Sequence, residues 1–443
     1  LLVLDGRIIS KNKSFRGALA VRDGDIIEIG PSKEIKNRYK AKKTIEAEGK
    51  IVMPGLVDGH VHNAQIMLRG SFSDKLLTLP PIWLNYLIPY ESFLKPEDVK
   101  KCSLLTQLGL IKSGITSFVE AGGPYPDKIA EATAQSGLRG GISKSTIDVE
   151  PDTPMYQETD EIVEDYRELI ENWDGKSDGK IKVWISLREI MLNSIELYEK
   201  LFRLSEKHDC QITMHLAESR TEVDYSLEKF GKRPVELIYE KNFLNERVLA
   251  SHMIFVGDSE MEMLRKSGAN VVWCPEVDAQ LMGPPRVNDM LERNVNVIFG
   301  TDGGAWNRLD LFEQGRQGRS SVKMLNNSLY HDKSGLKYHQ AFEMLTNNGS
   351  SVLKEPVGRI EEGYKADLII LDPKHNLVPS YDPTYTVVNM ADSSNVETVI
   401  VDGKILMEEK EIKTLNEERI IGESKDLEEK LEDKIEDLKE DFK

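Results

Sequence analysis

The sequence predicts an α/β protein: a (β/α)8 TIM-like barrel with a small discontinuous β-sandwich domain and a C-terminal amphipathic helix. Three observations predict it. Residues 53–356 alternate short apolar runs with helical stretches, residues 1–52 and 357–412 carry β-branched runs broken by turn residues, and 413–443 repeats apolar positions at helical spacing in a charged background. In the first flank, LLVLDGRIIS, GALAVRDGDIIEIG and KTIEAEGKIV are separated by Asp-Gly, Pro-Ser and Glu-Gly, the punctuation of hairpin turns. The barrel is read from GITSFVEAG, KIKVWISL, CQITMHLAES, RVLASHMIFV, ANVVWCPE and NVNVIFGTDGG. Each run is short, apolar and followed by a polar or glycine-bearing turn, as buried parallel strands are. Beyond Pro356 the β style returns in GRIEEGYKADLIILD and VETVIVDGKILMEEK, so the two flanks are expected to pair into one domain. Leu427, Leu431, Ile435, Leu438 and Phe442 then predict a tail helix docked on the barrel or on a second subunit.

Composition narrows the function classes. Of 443 residues, 40% are apolar and 30% charged, too apolar for a disordered chain. The net charge of −17 argues against a broad nucleic-acid or anionic-membrane footprint. Cys102, Cys210 and Cys274 show no C-x-x-C spacing, so neither a disulfide scaffold nor a zinc ribbon is indicated, and a reducing cytoplasm is the expected location. No apolar run reaches the ~18 residues of a membrane span, and LLVLDGRIIS lacks a cationic leader. A soluble, unexported protein is expected, with no membrane partner. Barrels of this size often assemble symmetrically, so a homo-oligomer is also expected.

Chemistry concentrates at the ends of the expected strands. In VDGHVHN, His60 and His62 are two residues apart, and the side-chain period of a strand turns both to one side. His215 in TMHLAE, His252 in ASHMIF and Asp302 in IFGTDGG each end a further run, the location where active sites of this fold gather. Imidazoles and a carboxylate meeting there can share a divalent cation. Glu218, three residues after His215, would stand beside such an ion as a proton carrier.

VMPGLVDGHVHN, HLAES, SH and GTDG, in that order, resemble the amidohydrolase superfamily. More narrowly they resemble its mononuclear deaminase and chlorohydrolase branch, which includes methylthioadenosine/S-adenosylhomocysteine deaminases, guanine deaminase and s-triazine hydrolases. The resemblance implies His60, His62, His215 and Asp302 as ligands of one divalent ion, Zn²⁺ ahead of Fe²⁺. It makes His252 the group that orients the attacking water, with Asp302 and Glu218 handling protons. The expected reaction is hydrolytic deamination of an aminated, purine- or adenosine-like heterocycle with release of ammonia. Hydrolysis of another C–N or C–Cl bond is the alternative, and a non-catalytic assembly protein a distant third. The run KVWISLREI holds no interior lysine to bridge a second metal.

For the substrate, LPPIWLNYLIPYESFLKPEDV resembles the adenosine-type deaminases and implies Trp83 as a pocket wall and Glu91 as a ribose ligand; Lys144 falls where those enzymes carry an arginine. After Cys274-Pro275, Glu276 and Asp278 replace a small neutral pair, and Trp306 stands where small or polar residues are common. These departures predict a pocket that is acidic on one side and narrowed by an aromatic ring, suited to an amine-bearing substrate. Arg188 and Glu189 are further expected contacts.

Overall fold

The computed structural model describes residues 1–11, 13–77, 82–331 and 334–440. Phe442 and positions 79–81, which open LPPIWLNYL, lie outside them. Eight parallel strand positions follow one another: Leu56–Val61, Ile115–Glu120, Arg139–Ile142, a fourth made of Ile181–Val183 and Ile185–Leu187, Ile212–Leu216, Val248–His252, Asn270–Trp273 and Val297–Phe299. Trp184 interrupts the fourth, where its N–H still donates to the Ile142 carbonyl at 2.8 Å. Last and first strands meet where Asp302 N–H donates to the His60 carbonyl at 2.9 Å and Thr301 N–H to Asp58 Oδ1 at 3.0 Å. Strands two, five and six are buried along their whole length, which is why they read as unbroken apolar runs and not as alternations.

The third strand is the one the apolar pattern does not reveal. RGGI has two glycines and a charge, and the glycines are there for clearance. A Cβ on Gly141 would lie 2.7 Å from Trp184 Nε1, and one on Gly140 would lie 2.9 Å from Thr133 Cγ2.

The two flanks pair into one nine-stranded sheet in which Ile51–Pro54, from the first, lies between Leu2–Ser10 and Leu368–Leu371, from the second. Asp23-Gly24 and Asp402-Gly403 both take positive φ (50° and 87°, 51° and 70°), the left-handed pair that a two-residue hairpin turn requires. The sheet curls so that its edge strand Asp25–Gly30 reaches the segment leading into Leu368–Leu371: Ile26 N–H donates to Tyr364 O at 2.8 Å, and Asp25 bridges Lys365. Val3, Ile26, Val52, Leu368 and Ile400 fill the space between.

The tail forms a helix over Glu417–Glu440 and docks on its own barrel, against the helix Pro96–Lys112. Leu427 and Leu431 are buried, and Lys430 reaches both oxygens of Asp98 at 2.7 Å. Among the described residues no helix is long and apolar enough to cross a membrane.

A buried ion pair ties sheet to barrel. Arg139, opening the third strand, meets Asp367 at 3.0 and 3.3 Å, both side chains being almost wholly buried, and Asp367 Oδ1 also accepts the Asp402 N–H at 2.7 Å. Removing one partner of a buried pair strands the other charge, typically at about 3–5 kcal/mol. Asp367→Asn should therefore lower the unfolding free energy by roughly that amount. Chemical denaturation is the measurement, and a loss below about 1 kcal/mol would show that the pair does not hold the two units together.

Candidate active site

The site is assembled from strand ends. His60 lies in the first strand and His62 just past it, with ring centroids 5.1 Å apart; His215 and His252 sit 4.9 and 5.1 Å from His60. The fifth and sixth strands pair in parallel with His215 opposite Ser251. Ser251 faces inward and bonds His60 Nδ1 at 2.8 Å, so strict alternation would turn His252 outward. Its φ of +71° prevents that: the left-handed backbone swings the next side chain back to the same centre. Asp302, at φ +60°, repeats the device after Thr301, whose hydroxyl donates to Asp58 Oδ2 at 2.7 Å. Strain of this kind in non-glycine residues clusters at functional sites.

Electrostatics divide the four imidazoles. Burial, reinforced by neighbouring imidazoles and by Arg188, holds His60, His62 and His215 well below the usual histidine range, so they stay neutral with a lone pair to give. His252 goes the other way: burial opposes its charge, but Glu218, Asp278 and Asp302 outweigh it and lift the imidazole to about 10. Its Nδ1 meets Asp278 Oδ1 at 2.8 Å. Burial raises Asp302 to about 6 against the pull of His252 and Arg188, and raises Glu218 to about 7.

The donor set fits a cation. Ligand atoms of His60, His62 and His215 all lie within 4.8 Å of one another, as do those of His60, His252 and Asp302. His60 Nε2 is buried without a hydrogen-bond partner and faces Asp302 Oδ1 at 3.1 Å. In the tautomer whose Nδ1–H donates to Ser251 Oγ, Nε2 turns a lone pair toward Asp302, an arrangement that a positive ion between nitrogen and oxygen satisfies.

Around this floor, Trp83, Ile82, Leu87, Leu281 and Trp306 wall a cavity that Arg188, Glu189 and Glu218 also line. Trp306 stacks on Phe72, with centroids 3.9 Å apart and planes 3° from parallel. Three expected contacts are not brought to this cavity. Glu91 is captured by Arg188 in a bidentate pair at 2.6 and 3.3 Å and takes a third bond from Gln65 at 2.7 Å. Lys144 leaves the third strand end in the other direction and pairs with Asp165 at 2.6 Å. Glu276 and Asp278 share the helix Pro275–Leu281, where two residues span about 200°, so they point to opposite sides. Asp278 reaches His252, while Glu276 bonds Gln314 in the neighbouring cleft. The expected acidic wall therefore comes from Glu189 and Glu218 instead.

Sequence reasoning missed the residues that hold the site in shape. Asp58 accepts from His60 N–H, Thr301 N–H and the Thr301 hydroxyl, and burial still raises it to about 7. Glu222 accepts the N–H groups of Ala217 and Glu218 at 3.0 and 2.8 Å, fixing the loop that carries Glu218. Its signal was present: Ser219-x-x-Glu222 is a helix-start signature, and Ser219 Oγ does accept the Glu222 N–H. Glu120 receives Asn63 N–H and Nδ2 at 3.0 and 2.6 Å just behind His62.

The barrel and its gathered strand-end histidines are those of a hydrolase acting on carbon–nitrogen bonds. Residues 51–406 match the amidohydrolase family, and the chain belongs to it. A 5-methylthioadenosine/S-adenosylhomocysteine deaminase of Acetivibrio thermocellus is 32% identical over 432 residues, covering 95% of this chain and 96% of its own. A 5'-deoxyadenosine deaminase of Methanosarcina mazei is 33% identical over 420 residues, 94% of each chain. In fold, the chain is similar to the crystal structure of an adenosine deaminase from Xanthomonas campestris with bound zinc (TM-score 0.89, 98% of each chain, 24% identity).

Glu120 supplies a pH test. Burial pushes its carboxyl up to about 8, with the two Asn63 bonds opposing. A folded-state pKa above the unfolded value means that the group's contribution is complete below about 4.3 and is lost as pH rises through about 8. Glu120→Gln keeps a neutral side chain at every pH, so its stability relative to wild type should improve from pH 5 to pH 9. Thermal melts at the two values check this; an unchanged difference would mean that Glu120 is ionised in the fold throughout.

Proposed function

We propose that the chain is a metal-dependent hydrolytic deaminase of an aminated, purine-like heterocycle. The observation that carries the reading is the convergence of three neutral imidazoles, His60, His62 and His215, with Asp302 Oδ1 at 3.1 and 3.5 Å from the Nε2 atoms of the first two, beside a carboxyl near neutrality and a charged His252. The deaminase names of its relatives agree with it. In this reading His60, His62, His215 and Asp302 hold one divalent ion, zinc by the imidazole-rich set and by the zinc of its structural neighbour. Bound there, the ion supplies Lewis acidity that makes water nucleophilic near pH 7.

The chain's own groups do the rest. His252, held by Asp278, orients the water with Nε2, while Asp302 takes up its proton. Glu218 delivers a proton to the ring nitrogen next to the reacting carbon as the new C–O bond forms there. Its position near pH 7 lets it both give and accept. Asp302 passes the proton it took up to the exocyclic nitrogen, the C–N bond breaks, and the remaining hydroxyl proton returns to Glu218, so that ammonia leaves and the ring carbon becomes an oxo group. Trp83 and Trp306 flank the planar ring and keep bulk water out.

The reading separates ligands from proton carrier. His215→Ala should lose metal and turnover together. Glu218→Gln should keep its metal, measured by elemental analysis, and lose about 10²–10⁴-fold in kcat of ammonia release. Dialysis against a chelator should abolish activity, and zinc should restore it. Equal metal loss in both variants would contradict the division of roles, and no ammonia from any aminated heterocycle with metal-loaded protein would overturn the reading.

A further inference from the structure

A large cleft lies on the far side of Trp306 from the histidines, between the barrel and the flanking sheet. Its volume is about 710 Å³, and Trp306 is the one described residue that lines both it and the histidine-floored cavity. Val396 and Met407 from the sheet, with Ala305 and Leu309 from the loop after Asp302, give it a buried apolar wall. Around that wall stand four cations, Arg69, Lys112, Arg308 and Lys410. A single carboxylate joins them, Glu276, which is bonded to Gln314 and whose ionisation burial disfavours. In a chain of net charge −17 this local excess of positive charge is a reversal.

Two of the four are answered elsewhere: Lys112 pairs with Glu417 at 2.7 Å, and Arg308 with Glu313. The other two are not. Arg69 donates from Nε to the Gly304 carbonyl at 2.9 Å, and burial, with no anion to offset it, pulls its pKa down. Lys410 is more constrained. It and Lys374, which follows the strand Leu368–Leu371, both donate to the carbonyl of Ser394, a further lining residue, at 2.6 and 2.7 Å. Two ammonium groups thus crowd one oxygen, and among the described residues neither has a carboxylate within ion-pair distance. Asp372 and Glu397 act on Lys410 only from farther away, and the neighbouring Lys374, ahead of burial, holds it below the usual lysine range. Each ammonium spends one hydrogen on Ser394 and keeps two for another acceptor. A doubly charged oxyanion between them would remove the repulsion and accept those hydrogens.

An inorganic anion would use the lysines and leave the apolar wall bare. We propose that the cleft is a second binding site, for a small phosphate ester whose phosphate is held by Lys374 and Lys410 and whose organic part covers Val396, Met407 and Leu309. The site stands apart from the deaminase reading, because none of the residues proposed as metal ligands lines it.

The test is titration calorimetry of the zinc-loaded chain at fixed ionic strength, with phenyl phosphate, inorganic phosphate and phenol as probes. Phenyl phosphate is expected to bind at one site per chain, at least about 10-fold tighter than inorganic phosphate because its ring is buried, with no measurable binding of phenol. Lys374→Ala/Lys410→Ala should weaken phenyl phosphate about 10-fold or more, since hydrogen bonds between charged groups are lost. Lys36→Ala/Lys40→Ala removes the same charge from exposed positions on the sheet's flank and should leave binding unchanged. His215→Ala should bind the probe as wild type does. Equal weakening in both lysine pairs would mean general attraction, an adventitious ion only. Loss of binding in His215→Ala would put the phosphate on the metal, and inorganic phosphate as tight as the ester would leave the organic part without a place. No heat from phenyl phosphate up to about 10 mM would mean no site. Each of these four results would overturn the proposal, and each leaves ammonia release, and with it the deaminase reading, untouched.

Discussion

The whole site depends on making a dense set of titratable groups tolerable in a medium that does not solvate them. An isolated charge buried at low dielectric costs several kcal/mol or more, so each group here is neutral, paired or both. His60, His62 and His215 are held neutral by burial; His252 is charged but bonded to Asp278; Arg188 is charged but locked to Glu91. Asp58 is raised by burial and spends both oxygens on the eighth strand and on His60 N–H. The barrel is what makes this affordable geometrically: parallel strands deliver side chains from positions 60 to 302 to one end, each backed by a rigid ladder.

Much of that end was legible in the sequence because it obeys local rules. A spacing of two on a strand puts His60 and His62 together, and a polar residue at the close of an apolar run marks a strand end. His252 and Asp302 were located by the second rule and by the likeness of SH and GTDG to the family's motifs. What aims them inward is a left-handed backbone at each, which no periodicity encodes for a histidine or an aspartate. The third strand escaped for the opposite reason: its glycines serve the bulk of Trp184 and Thr133, and clearance leaves no apolar pattern. The sheet flanks read well because Asp-Gly turns are a backbone requirement written directly into residue type.

The substrate side was less legible, and each miss has a distinct cause. Glu276 and Asp278 looked like a doubled charge, but a short helix separates residues two apart by more than half a turn. Lys144 was placed by likeness to an arginine; in this chain its charge is answered by Asp165, on a helix whose approach depends on the whole tertiary arrangement. Glu91 and Arg188 are 97 positions apart, and nothing local to either announces that they pair. Long-range ion pairs are chosen by the fold, so a residue can keep its place in a motif and lose its availability.

That last distinction bears on how likeness should be weighed against contact. Relatives about one-third identical over nearly the full chain fix the family. They do not fix the wall opposite the histidines. One cation there can either reach across the cavity or be neutralised behind it, and these choices admit different molecules. Here Arg188 is answered from behind: three of its N–H groups hold Glu91 and Ser145 in place, although the side chain itself lines the cavity. A cation already paired with Glu91 is not free to answer a second carboxylate, and identity percentages do not record that.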